Sequence, residues 1–152
     1  MPNPYWEVES GDCLTTRGRI STAGASTCII LAALNTETGA GLLGHLTCDD
    51  IEQGELLDES VDAIARLGPG KSTQIRLAGG AIYTYNYACP ESEDNQKVEQ
   101  RIREMALQNG IPLPNITVSW LWGNDEASAT VDCHEGTITV KESFWGDDGF
   151  GD

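Results

Sequence analysis

Positions 22–45 read T-A-G-A-S-T-C-I-I-L-A-A-L-N-T-E-T-G-A-G-L-L-G-H. Cys28 stands immediately ahead of an apolar run at 29–34. That run ends in N-T-E-T-G, and a second apolar run at 42–46 contains His45. Two apolar runs of strand length on either side of a glycine-bearing turn mark a β-hairpin. With its turn near 36–39, the start of the first strand and the end of the second come back together, which brings Cys28 toward His45. A thiol beside an imidazole is what a cysteine nucleophile needs. A free thiol has a pKa of roughly 8.5 and an adjacent imidazolium lowers it, so the pair is expected as thiolate and imidazolium at neutral pH. Thr22, six residues before Cys28, offers a hydroxyl that can hold the ring in one tautomer.

Outward from the hairpin, two stretches have helical period. One runs over 52–67, with Leu57, Val61 and Ile64 on one face and Gly68-Pro69-Gly70 as its stop. The other runs over 94–109, with Ser92 or Asp94 as cap, Val98, Ile102 and Met105 as stripe, and Asn109-Gly110 as stop. Residues 74–77 read as a short strand ended by Gly79-Gly80, and Tyr83, Tyr85 and Tyr87 alternate as if extending it. An edge strand is expected over 5–9. Residues 116–122, 127–132 and 137–140 alternate in period two and are separated by G-N-D and H-E-G, which predicts an antiparallel meander. Runs of strands with two helices set between them favour α+β over a parallel βαβ fold. The expected architecture is one compact domain over 1–142, a mostly antiparallel sheet with two main helices. S-F-W-G-D-D-G-F-G-D at 143–152 is expected as a flexible acidic tail.

The spacing T-x5-C-x16-H, closed by G-H, resembles that of the CheD family of chemoreceptor glutamine deamidases. L-A-G-G-A at 77–81, I-P-L at 111–113 and G-T-I-T-V at 136–140 follow in the order of that family, so the resemblance covers roughly 12–142. Two departures stand out. A-S-T-C at 25–28 replaces the usual L-G-S-C, and no I-G-x-x-N follows the glycines, leaving Asn95 as the counterpart of that asparagine. The resemblance implies a protein-glutamine deamidase. Cys28 attacks a side-chain carboxamide, His45 protonates the departing ammonia and then activates water against the thioester, and Thr22 orients His45. Ser26, Thr27, Gly79 and Gly80 are the implied substrate contacts. It implies no cofactor and no metal, a glutamine-bearing protein as substrate, and a chemotaxis phosphatase as regulatory partner. A toxin-type deamidase acting on another protein, or a catalytically silent binding module of the same fold, are the alternatives.

Composition narrows the rest. With 152 residues, 39% hydrophobic, the chain suits one globular domain. Its 24 acidic residues against 9 Lys plus Arg give a net charge of −15, which opposes nucleic acid and anionic membrane surfaces. No apolar run approaches membrane-spanning length and the first ten residues have no signal-peptide character, so no membrane insertion and a cytoplasmic location are expected, with signal-less export as an effector left open. Five scattered cysteines without C-x-x-C fit a reducing compartment. His45-x-x-Cys48 with Cys133-His134 is a rival zinc set by residue type. G-P-G-K-S at 68–72 lacks the spacing of a phosphate loop.

Overall fold

The computed structural model describes residues 5–82, 90–122 and 125–143. Strands β1 (Tyr5–Glu7), β2 (Asp12–Thr16), β3 (Arg19–Ala25), β4 (Ile29–Asn35) and β5 (Ala40–Leu46) lead into helices α1 (Cys48–Gln53) and α2 (Glu55–Ala65). Strand β6 (Thr73–Ile82), helix α3 (Pro90–Asn109) and strands β7 (Ile116–Trp122), β8 (Glu126–Asp132) and β9 (Thr137–Ser143) complete the described chain. Two sheets form, ordered β1-β3-β8-β9 and β2-β5-β4-β6-β7. Pairing is antiparallel except for β1 with β3 and β6 with β7, which are parallel.

The hairpin forms as its sequence demands, with Ile29 opposite Leu46 and Asn35 opposite Ala40. Every residue of β4 is buried. Ile29, Leu31 and Ala33 enter a core shared with the three helices, while Ile30, Ala32 and Leu34 enter a second core between the two sheets. Burial on both faces is why β4 is a continuous apolar run and not an alternating one. The molecule is thus α+β in three layers: helices, five-stranded sheet, four-stranded sheet. Each fully buried Leu or Ile on β4 contributes about 1.5–3 kcal/mol, so this strand is fixed from both sides.

Three expectations are corrected. The helix predicted over 52–67 is two helices. Thr47 caps α1 through a reciprocal bond with Asp50, and Gly54, in the left-handed conformation at φ 84°, ends α1 and turns the chain into α2. The three strands after α3 are not one meander, because β7 joins the larger sheet beside β6 whereas β8 and β9 join the smaller one beside β3. Alternation along each strand reports that one face is buried, not which sheet buries it. The edge strand predicted over 5–9 is only three residues long. Tyr83, Tyr85, Tyr87 and all but the first residue of the predicted tail lie outside the described residues. Among the described residues, no helix is long and apolar enough to cross a membrane.

Candidate active site

Strand β5 passes between β2 and β4, and His45 near its end faces the layer between the sheets. Thr22 on β3 reaches the same layer from the opposite sheet. Both side chains are buried, 2% and 4% exposed, and Thr22 Oγ1 lies 2.8 Å from His45 Nδ1. The same hydroxyl donates to the backbone carbonyl of Val8 at 2.7 Å. A threonine hydroxyl has one proton. Since it is given to Val8, the Nδ1 nitrogen must be the donor in the contact with Thr22, and the lone pair of the ring is on Nε2. Burial holds the His45 pKa below its ordinary 6.5, so the ring is neutral at pH 7.

Cys28 is half-buried just before β4. Ile30 is the residue opposite His45, and Cys28, two positions earlier, packs into the same inter-sheet core. Cys28 and His45 are therefore diagonal neighbours on one face, a relation that in regular sheet separates Cα atoms by about 7–8 Å. Among the described residues no hydrogen bond joins them; the sulfur has the Ser10 hydroxyl at 4.0 Å. Burial raises the Cys28 pKa above 9.0, the bond from Ser10 offsets part of this, and the charge of Asp50 adds to the rise. The expected thiolate and imidazolium is thus corrected to a thiol beside a neutral imidazole. The first reason is burial of the sulfur, to which the carboxylate of Asp50, placed by the capping of helix α1, adds.

Gly79 and Gly80, expected as substrate contacts, lie buried behind the cysteine loop at φ 79° and 59°. The Gly80 amide donates to the Cys28 carbonyl at 2.8 Å and the Ala81 amide to the Ser26 carbonyl at 2.7 Å. A side chain on Gly79 would run into the Cys28 carbonyl oxygen. Ser26 and Thr27 are half-buried on the loop itself. The rival zinc set is not assembled. Cys133 packs against Gly41, four residues from His45 along β5 and so roughly 13 Å away, and His134 is exposed. Among the described residues no group of three or more His, Cys, Asp and Glu side chains could hold a metal ion. Ser10 and the Val8 carbonyl were missed from the sequence. The turn Ser10-Gly11-Asp12 was the available signal, and Gly11 anchors it by donating to the His45 carbonyl at 2.8 Å.

No family model and no curated protein matches the chain. Solved structures do. Protein YfiH of Bacillus licheniformis, described as hypothetical, superposes with a TM-score of 0.52 at 16% identity, over 73% of this chain and 51% of that one. YlmD from Geobacillus stearothermophilus gives a TM-score of 0.51 at 14% identity, over 78% of this chain and 59% of that one. The chain thus spans between half and three-fifths of the length of these proteins, and the likeness is one of fold. It overturns the resemblance to the CheD family, because the fold's neighbours are YfiH and YlmD and not the chemoreceptor deamidases. Glutamine deamidation, by a chemotaxis enzyme or by a toxin, falls with it, as does the silent module of that family. The glutamine-bearing substrate and the chemotaxis phosphatase had no support other than that resemblance.

Proposed function

We propose that Cys28 is a nucleophile for acyl transfer, with His45 as its base and Thr22 as the partner that orients the base. The observation that carries this is the placement of protons: Thr22 gives its only proton to Val8, so Nε2 of His45 is the unprotonated nitrogen on the face that Cys28 shares. When an electrophilic carbonyl meets the sulfur, the S–H proton passes to Nε2 as the S–C bond forms. The proton then leaves with the departing group as its bond to the carbonyl carbon breaks, giving a thioester on Cys28. An acceptor nucleophile, losing its own proton to Nε2, takes the acyl group and frees the thiol. The net charge of −15 and the nearby Asp50 favour a neutral or cationic substrate and disfavour nucleic acid.

p-Nitrophenyl acetate tests this chemistry without knowledge of the natural substrate. The expected result is a burst of about one equivalent of nitrophenolate, with the acetyl group mapped to Cys28 by peptide mass spectrometry. His45→Asn should slow the burst by about a hundredfold, the usual worth of a positioned base. Acetylation spread evenly over the cysteines and indifferent to His45 would remove the proposal.

A further inference from the structure

The backbone carbonyl of Cys28 is held by a relay that begins on another element. Asn95 lies in the second turn of α3, only 3% exposed. Its Nδ2 donates to the Gly80 carbonyl at 2.8 Å, and the Gly80 amide donates in turn to the Cys28 carbonyl at 2.8 Å. The glycine pair is the contact surface of this relay. A side chain on Gly80 would run into the Asn95 amide, and one on Gly79 into the Cys28 carbonyl. Both glycines have the positive φ that L side chains rarely adopt, at the point where β6 breaks register with β7. Glycine pair and cysteine loop therefore meet as backbone, and the helix reaches the pair through the Asn95 side chain.

Asparagine is an expensive residue here. It is a poor helix former because its amide competes for backbone groups. Its Oδ1 is buried with no hydrogen-bond partner among the described residues, and burying such an atom is costly. The side chain's visible return is the single bond to Gly80. We infer that Asn95 is a positioning residue for Cys28: it fixes the Gly79-Gly80 backbone, which fixes the carbonyl and hence the direction of the Cys28 side chain. The inference rests on the proposed role of Cys28 as nucleophile. Asn95 touches no reacting atom, so it acts only through the loop.

The experiment measures iodoacetamide alkylation of each cysteine in the full chain across pH by peptide mass mapping, for wild type, Asn95→Ala and Asn95→Ser. Cys13 and Cys133, remote from the relay, serve as internal references. Loss of the amide should slow Cys28 relative to them by about tenfold, the size of one lost hydrogen bond, and change the shape of its pH profile. A loss of Tm in either variant with the Cys28 ratio and profile unchanged would assign Asn95 to structure alone and overturn the inference. Asn95→Ser, which keeps a small polar side chain, provides the measurement if Asn95→Ala does not fold. The nucleophile itself fails by a different sign: a wild-type Cys28 profile indifferent to His45→Asn, whatever Asn95 does.

Discussion

Strand β5 has a cysteine at each end. At one, Cys28 shares the inter-sheet face with His45; at the other, Cys133 packs against Gly41 and donates to the Thr16 carbonyl at 3.5 Å. Both thiols are free, partly buried and pushed up in pKa first by burial. An acidic neighbour adds to the rise in each case, Asp50 for Cys28 and Asp132 for Cys133, and only Cys133 has a cation working the other way, Arg17. Each thiol also has one influence that lowers it, the Ser10 hydrogen bond for Cys28 and Arg17 for Cys133, so thiol acidity does not distinguish the two ends. What distinguishes the Cys28 end is a base whose tautomer is fixed from outside, together with a backbone packed too tightly for side chains. On the proposed reading, the site is made by the neighbours' protons and not by the sulfur.

That contrast can be broken at several points. The largest effect is expected from backbone crowding. Gly79→Ala at the Cys28 end combines a positive φ with a collision against a carbonyl and should cost about 3 kcal/mol in urea unfolding. Gly41→Ala at the Cys133 end needs no positive φ and meets side chains first, Val131 Cγ1 and Cys133 Sγ at 2.8 and 2.9 Å, with the Ala33 carbonyl at 3.4 Å, and should cost less. Equal losses would mean that the cysteine loop is no more constrained than the far end. Next comes chemistry: His45→Asn should slow Cys28 alkylation by about a hundredfold and leave Cys133 unchanged. Thr22→Val removes the hydroxyl that serves both Val8 and His45 and should cost about 1–3 kcal/mol, with Cys28 slowed and Cys133 untouched.

Smaller effects follow from titration. His45 is held below 6.5 by burial, so as pH falls below that value the unfolded chain takes up a proton that the folded chain resists. This part of the stability is complete above about pH 6.5 and is lost as pH falls through the lower, folded value. His45→Gln should flatten the acid limb of a Tm-against-pH curve; an unchanged limb would assign it to other groups. The smallest change is at the other end: Arg17→Gln removes the one influence lowering the Cys133 pKa and should slow Cys133 alkylation at pH 8 by about twofold, with Cys28 unaffected.

The hairpin was legible because a strand buried on both faces must be apolar at every position, and 29–34 can satisfy no other surface economically. The helical stripe at Val98, Ile102 and Met105 was legible for a related reason, since one covered face writes its period into the sequence. Sheet membership was not. Residues 116–122 and 127–132 alternate alike, yet the first pairs parallel with β6 and the second antiparallel with β3, across separations that local pattern does not encode. Thr22 and His45 were brought to attention by spacing, and the fold does place them in contact. The protonation state of Cys28 was beyond sequence, because it depends on burial and on a carboxylate delivered by the capping of α1. Asn95 was singled out only through a resemblance that the fold overturns; nothing in E-D-N-Q itself marks its amide as reaching back fifteen residues to Gly80.

The Val8 carbonyl lies just past the three-residue strand β1, which is held at a sheet edge by parallel pairing with β3. Its distance from the sulfur in sequence conceals an influence on it. If that first strand peels away and draws Val8 from its bond to the Ser21 carbonyl, the Thr22 proton loses its acceptor and is free to turn toward Nδ1, which then serves as the lone pair while the hydrogen of the ring moves to Nε2. The imidazole would keep its place and exchange its polarity. Docking of the leading segment would thereby be recorded in which nitrogen can receive a proton, with no atom of that segment needing to approach Cys28.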